Sequence, residues 1–182
     1  MQRGRIYSTR GSRMNEPVIR IDQIEPFIKA TIETFKTMVH LKVIHGEIRV
    51  RKPSEPASDY SGIIGLTGGA EGSVTLGFPL GTAKAVASSF LGEETVSESL
   101  VADTIGEIAN IITGYAKKDI PGVEINISLP TVIKGASHEI ISHADDKKII
   151  TFFVCPLGEF SLEVYLEGLP GQFPTQSGPG EA

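Results

Sequence analysis

The sequence predicts a single α+β domain in which a mostly antiparallel β-sheet is packed on one face by three helices. Two observations lead to this prediction. Three segments carry apolar residues at helical spacing, whereas several others alternate apolar and polar residues or form short apolar runs, as strands do. In addition, 182 residues, of which 40% are hydrophobic, are enough for one core of ordinary size.

The two ends of the chain are not expected to belong to this domain. Residues 1–20 open with a basic stretch that lacks aliphatic periodicity, which predicts a flexible leader or a tag. Residues 168–182 are rich in Pro, Gly, Ser and Gln and predict a disordered tail. The folded domain is therefore expected to span residues 21–167.

The first helix is predicted to begin near Asp22 and to end near His40. Apolar residues recur through this segment at the three- and four-residue spacing of a helix with one buried face. They are Ile24, Phe27, Ile28, Ile32, Phe35, Met38 and Val39.

Three strands are predicted next, at residues 44–50, 61–67 and 71–78, because apolar residues alternate there with polar or small ones. Gly68 and Gly69 are expected to form the turn between the second and third of these strands. Consecutive strands of this kind are expected to pair antiparallel, which would put the first strand beside the second.

A second helix is predicted at residues 81–91, and the remaining strands follow the third helix. Pro121 and Gly122 interrupt the chain, and residues 123–129 then alternate, with Leu129 on the buried side. Further strands are predicted at residues 138–143, 149–155 and 160–166.

The longest helix is predicted at residues 98–118, with Ser97 as its N-cap. At about 100° per residue, one side of this helix is apolar. That side contains Val101, Ile105, Ile108, Ala109, Ile112, Tyr115 and Ala116. Asp103, Glu107 and Asn110 fall together on the opposite side, at positions i, i+4 and i+7.

The polar triplet has two interpretations at this point. A helix with one buried side normally carries polar residues on the other, so the triplet is explained by solvation alone. Gly106 and Gly114 flank it, however, although glycine inside a helix costs about 1 kcal/mol relative to alanine. The two glycines indicate either the close approach of another molecule or tight packing within the domain.

Several classes of function have little support. The net charge of −5 and the isoelectric point near 5.4 argue against binding to nucleic acids or to anionic membranes. No apolar run approaches the roughly 18 residues of a membrane-spanning helix and no secretory signal is visible, so a cytoplasmic location is expected. The histidines lack ligand spacing, and no metal site is expected. The single cysteine, Cys155, is interpreted as a packing residue, with a reactive thiol as the alternative.

The pattern Asp103-x3-Glu107-x2-Asn110, followed after 19 residues by Pro130, resembles the signature of the CheC/CheX/FliY phosphatases of bacterial chemotaxis. The resemblance covers roughly residues 21–166. It is closest to the CheX branch, because CheC-like chains carry the Glu-x2-Asn motif on two helices and the first helix here lacks it.

This resemblance implies a CheC/CheX-like fold and a homodimer whose sheets join across the subunit interface. It also implies the function, a phosphatase that hydrolyses the aspartyl phosphate of a phosphorylated CheY-like response regulator. No cofactor of the chain's own is expected, and Mg²⁺ is expected in the partner regulator.

The resemblance also implies residue roles. Asn110 would position the attacking water and Glu107 would dock on a lysine of the regulator, so these two are the expected catalytic residues. Asp103, Gly106 and Gly114 are the expected partner-binding residues. For Pro130 a structural role in redirecting the chain is favoured over chemistry.

Two other functions remain open. One is a non-catalytic dimeric adaptor that binds a response regulator or a motor component through the same helix. The other is a sensory module that binds a small ligand between sheet and helices.

Overall fold

The structure, a computed structural model, describes residues 21–52, 54–135 and 148–169. These ranges contain three helices and seven strands, two of the helices being extended by short helical segments of other types. In chain order they are α1 (Ile21–Thr34) with a π-helical continuation (Phe35–Val39), β1 (Ile44–Val50), β2 (Tyr60–Gly68), β3 (Glu71–Phe78), α2 (Leu80–Leu91), α3 (Glu98–Ala116) with a 3-10 continuation (Lys117–Asp119), β4 (Ile125–Ile127), β5 (Thr131–Lys134), β6 (Ile149–Cys155) and β7 (Gly158–Glu167).

The seven described strands form one sheet in which every pair is antiparallel. Their order is β1-β6-β7-β3-β2, and β4 and β5 pair one after the other with the remaining side of β2. The predicted α+β fold, with a mostly antiparallel sheet and three helices, is confirmed.

Strand β1 has the predicted residues but does not have the predicted neighbour in the sheet. It pairs with β6, so that Ile44 lies opposite Val154, and the expected pairing of β1 with β2 is wrong. A two-residue turn keeps β2 and β3 together as a hairpin. The longer connection from β1 to β2 imposes no such pairing, and β1 therefore lies at the far end of the sheet.

The core lies between the sheet and the helices. Phe160 of β7 stacks on Phe35, Phe78 and Phe153, with ring centroids 4.5, 5.0 and 5.1 Å away. Other fully buried apolar side chains come from all three helices and from β2 and β3. They include Ile24, Phe27, Ile64, Leu76, Ala83, Val86, Ile105, Ile108 and Ile112.

The sheet face away from the helices carries a charged pair. Arg51 donates from Nε to Glu163 at 3.0 Å, and both side chains are largely buried. Burial raises the pKa of the Glu163 carboxyl above its usual value, and the neighbouring Arg51 offsets only part of that rise. This carboxyl therefore holds its proton to a higher pH in the folded chain than in the unfolded one.

Two further predictions concern the later part of the chain. The strand expected at residues 138–143 lies outside the described residues. The boundaries of the folded domain, 21–167, stay a prediction, but Leu169 is buried in the core two residues beyond that range. Cys155 is also buried, and its thiol donates to the carbonyl of Gly158 at 3.3 Å, which agrees with a packing role.

Candidate functional site

Helix α3 is fixed by its cap and by its buried side. Ser97 Oγ accepts a hydrogen bond from the amide of Leu100 at 3.3 Å, so the predicted N-cap is confirmed. Ile105, Ile108 and Ile112 are fully buried against the sheet and α1. A helix anchored over its whole length presents its other side in a defined orientation.

Gly62 of β2 lets α3 lie close to the sheet. A Cβ atom at Gly62 would be 3.1 Å from the carbonyl oxygen of Ile105 and 3.3 Å from the Cβ of Ala109. A side chain at Gly62 would therefore require α3 to move away from the sheet by a few tenths of an ångström. This contact sets the height of α3 above the sheet.

The polar side of α3 faces outward. Asp103 and Glu107 are exposed and Asn110 is half-buried, at successive turns about 5 Å apart. None of these three side chains forms a hydrogen bond or an ion pair in the part of the chain that the structure describes. A carboxylate and an amide are thus held side by side without an internal partner, which leaves them free to contact another molecule.

One residue that was predicted on the buried side of α3 is exposed instead. Tyr115 is 51% exposed, and Thr104 and Thr113 are buried instead. Thr113 donates to the carbonyl of Ala109 at 2.8 Å, which satisfies its hydroxyl within the helix. Tyr115 lies at the margin of the apolar side, where the phenol ring reaches solvent and contacts the Lys118 ammonium at 5.5 Å.

The two glycines of α3 differ in surroundings. Gly106 is buried, and a Cβ atom there would lie 3.2 Å from Val132 Cγ2 and 3.4 Å from Pro130 Cβ. Tight packing against the protein's own β5 edge therefore explains Gly106, and its expected contact with a partner does not agree with this position. A Cβ atom at Gly114 would meet only Ile127 Cδ1, at 4.0 Å. Gly114 is partly open to solvent.

An ion pair joins the start of α3 to the end of β5. Lys134 donates to Glu98, and the charged hydrogen bond lowers the pKa of the Glu98 carboxyl and raises that of the Lys134 ammonium. Both side chains are well exposed, so the pair adds little to stability. The pair joins the first turn of α3 to the last residue of β5.

The predicted strand at residues 123–129 is shorter than expected. It ends at Ile127, and Leu129, which was predicted to be buried, is 87% exposed. The chain then resumes as β5, a strand that the sequence did not indicate because Thr131–Lys134 is only four residues long. The alternation of Ile127 and Leu129 fails because the strand stops between them. Pro130 packs beside α3, as the structural interpretation of this residue expected.

Two general features of the described residues complete the picture. No three His, Cys, Asp or Glu side chains within them lie close enough together to bind one metal ion. None of the helices there has the length and apolar character needed to cross a membrane.

Comparison with known proteins identifies the family to which this chain belongs. The family model for chemotaxis phosphatase CheX matches residues 60–154, which is more than half of the chain and includes all of α3. The chain belongs to the CheX family of chemotaxis phosphatases. The resemblance inferred from Asp103, Glu107, Asn110 and Pro130 is therefore confirmed.

Individual relatives agree with this membership in the CheX family. The CheY-P phosphatase CheX of Thermotoga maritima is 28% identical over 123 residues, which are 65% of this chain and 79% of that protein. A chemotaxis protein CheX of Desulfovibrio desulfuricans shares the fold with a TM-score of 0.72 and 30% identity, over 80% of this chain and 99% of its own.

A third CheX relative was solved together with a partner. The CheX–CheY–BeF3–Mg²⁺ complex of Borrelia burgdorferi contains a chain with a TM-score of 0.66 and 25% identity, covering 81% of this chain and 99% of that one. In that complex a CheX chain is thus assembled with a CheY response regulator.

Proposed function

We propose that this chain hydrolyses the aspartyl phosphate of a phosphorylated CheY-like response regulator. The observation that carries the proposal is the pair Glu107 and Asn110, one turn apart on the outward side of an anchored helix and without partners in the described ranges. Membership of the CheX family supports it, because the Thermotoga relative is a CheY-P phosphatase and the Borrelia relative binds CheY.

Asn110 positions the attacking water in this proposal. Its carbonyl oxygen accepts a hydrogen bond from the water and its NH₂ group donates one, so the water is held in line with the phosphorus. The water oxygen attacks the phosphorus and the bond from the phosphorus to the aspartyl oxygen breaks. Inorganic phosphate and a free carboxylate result. An acyl phosphate is labile, so a positioned water with charge stabilisation is sufficient.

Glu107 docks the helix on the regulator. Its carboxylate is exposed and forms no internal ion pair within the described residues, so binding a lysine of the regulator breaks no existing contact. The Mg²⁺ that accompanies the phosphoryl group belongs to the regulator and not to this chain.

Asp103 and Gly114 are proposed to contact the regulator at the two ends of this surface. Asp103 is exposed one turn before Glu107. Gly114 lies one turn after Asn110 and is partly open to solvent, and a Cβ atom there would only touch Ile127 Cδ1 at 4.0 Å. A glycine, which has no side chain, lets the partner's backbone approach the helix.

The test is the rate of phosphate release from a phosphorylated CheY-like regulator of the same organism with Mg²⁺ present. The wild type is expected to accelerate release, and Glu107→Gln to raise KM because an ion pair is lost. Glu124→Gln, a matched change at an exposed glutamate on the approach to β4, is expected to have no effect. Binding of the regulator without acceleration of release would contradict the proposal and favour a non-catalytic adaptor.

We further infer that two copies of the chain form a homodimer through β1. Among the described strands, β1 has no neighbour on its outer side, so its backbone groups there are available for pairing. Ile44, Phe152 and Val154 lie exposed beside this edge, on the sheet face away from the helices. Pairing of β1 with its copy would continue the sheet across the two chains and give the exposed Ile44 side chain a cross-strand neighbour.

A further inference from the structure

Leu129 lies in an irregular segment between β4 and β5. Both strands pair with β2, in which Leu66 lies opposite Ile127 and Ile63 opposite Thr131. Two residues of β2 therefore face the three residues 128–130, which is a β-bulge with one extra residue. Bulges next to functional sites redirect individual side chains.

The bulge is held by Ser128. Its amide donates to the carbonyl of Gly65 and its Oγ accepts from the amide of Gly65, both at 2.9 Å. The same Oγ donates to the carbonyl of Leu129 at 2.8 Å. Pro130 has no amide hydrogen to leave unpaired, which suits a residue in a bulge. The backbone that carries Leu129 is thus constrained on both sides.

The bulge places Leu129 between residues that lie against α3. Ile127 and Val132 both lie against α3, near Gly114 and Gly106 respectively. Pro130, the residue after Leu129, lies against Gly106 as well.

Leu129 is also level with Asn110 along the helix. Val132 and Pro130 lie at Gly106, and Ile127 lies at Gly114, so the strand runs antiparallel to α3. Asn110 is four residues, or about 6 Å, from each glycine. Leu129 is two residues, or about 7 Å, from Ile127. The backbone of Leu129 therefore passes the level of Asn110 between these two contacts with α3.

We propose that Leu129 is the apolar docking contact for the response regulator, a role that rests on the proposed function. With 87% of its surface exposed, it is the most exposed of the large hydrophobic residues in the described ranges. Isolated exposed leucines are common on protein surfaces. This one is carried by backbone that passes Asn110, where Glu107 and Asn110 are proposed to meet the regulator. An apolar anchor beside charged contacts is the usual centre of a binding surface.

The test is the Kd for the regulator carrying BeF3 and Mg²⁺, measured for the wild type and for Leu129→Ser. Burial of a leucine side chain at the interface corresponds to about a tenfold to hundredfold change in Kd. Leu129→Ser is therefore expected to weaken binding by at least tenfold, and Leu129→Met to restore most of the affinity. Met38→Ser, at a 41% exposed residue of the helix that packs on β7, is the control and is expected to bind as the wild type does.

Steady-state kinetics distinguish a failure of this inference from a failure of the proposed function. Leu129→Ser is expected to raise KM with kcat changed less than twofold, and its thermal unfolding midpoint is expected to match that of the wild type. Equal Kd values for the wild type and Leu129→Ser, or no binding by the wild type, would overturn the role of Leu129. Tight binding lost in Leu129→Ser, with no acceleration of phosphate release by the wild type, would leave this contact standing and overturn the phosphatase function.

Discussion

At the scale of single residues, the orientation of Glu107 and Asn110 depends on a glycine of a neighbouring strand. Gly62→Ala would place a Cβ atom 3.1 Å from the carbonyl oxygen of Ile105. Because backbone cannot move aside as a flexible side chain can, we expect the substitution to lower the free energy of unfolding by about 1–3 kcal/mol. Urea denaturation measures this change.

A second glycine supplies the matched control for Gly62. Gly81 lies in the first turn of α2, and a Cβ atom there has nothing within 4 Å. Gly81→Ala is therefore expected to leave stability unchanged or to raise it by up to about 1 kcal/mol. Equal effects of the two substitutions would show that close packing of α3 on β2 does not limit stability.

Glu163 makes stability depend on pH in a defined direction. Its pKa is raised by burial, so the folded chain holds this proton at a pH where the unfolded chain has lost it. The stabilisation is complete below the ordinary pKa of 4.5 and is lost as pH rises through the raised value. Glu163→Gln does not titrate. We therefore expect the unfolding free energy of the wild type to fall relative to that of Glu163→Gln as pH rises above about 4.5.

This expectation is checked by measuring the unfolding free energies of the wild type and of Glu163→Gln from pH 4 to pH 8. Glu159→Gln, at an exposed position on the same strand, is the control and is expected to show no such divergence. A wild type that gains stability relative to Glu163→Gln as pH rises would mean that Arg51 outweighs burial.

At the scale of elements, periodicity predicted the helices well because each buries one continuous side. All three were expected close to their observed bounds, and the serine cap of α3 was identified. The predicted burial of Tyr115 was wrong because this residue lies at the margin of the apolar side. A helical wheel does not show whether a neighbouring element covers such a residue. Strand β7 was predicted from its regular alternation, and β6 was predicted from its short apolar run.

The elements that local pattern could not predict are those set by distant contacts. The position of β1 depends on pairing with β6, about a hundred residues later, and no local signal encodes that choice. Leu129 was assigned to the core because it continues an alternation. Its exposure results from a bulge that only the pairing of β4 and β5 with β2 reveals. The Glu107 and Asn110 pair was accessible from sequence because the spacing and the helix together define one side.

At the scale of the whole molecule, the homodimer makes a measurable prediction. Ile44→Lys combined with Val154→Lys places charges at the exposed edge of β1 and on its neighbour. Like charges there are expected to prevent sheet continuation, so the mass in solution should fall from twice 19.5 kDa to the single-chain value. Light scattering coupled to gel filtration measures this mass.

The matched control for the dimer is Leu80→Lys, at an exposed leucine in the first turn of α2. It is expected to keep the dimeric mass. A single-chain mass for the wild type at all concentrations would contradict the dimer, and it would leave the assignment of Glu107 and Asn110 untouched.

We propose that Asn110 positions the water that hydrolyses the phosphorylated regulator. The most direct measurement is the time course of phosphate release from the phosphorylated regulator, with Mg²⁺, for the wild type, Asn110→Ala and Asn126→Ala. Asn126 is an exposed asparagine of β4 and gives a matched control. We expect acceleration by the wild type and by Asn126→Ala, and a return to the spontaneous rate with Asn110→Ala. Acceleration that survives Asn110→Ala would contradict the proposed role of Asn110.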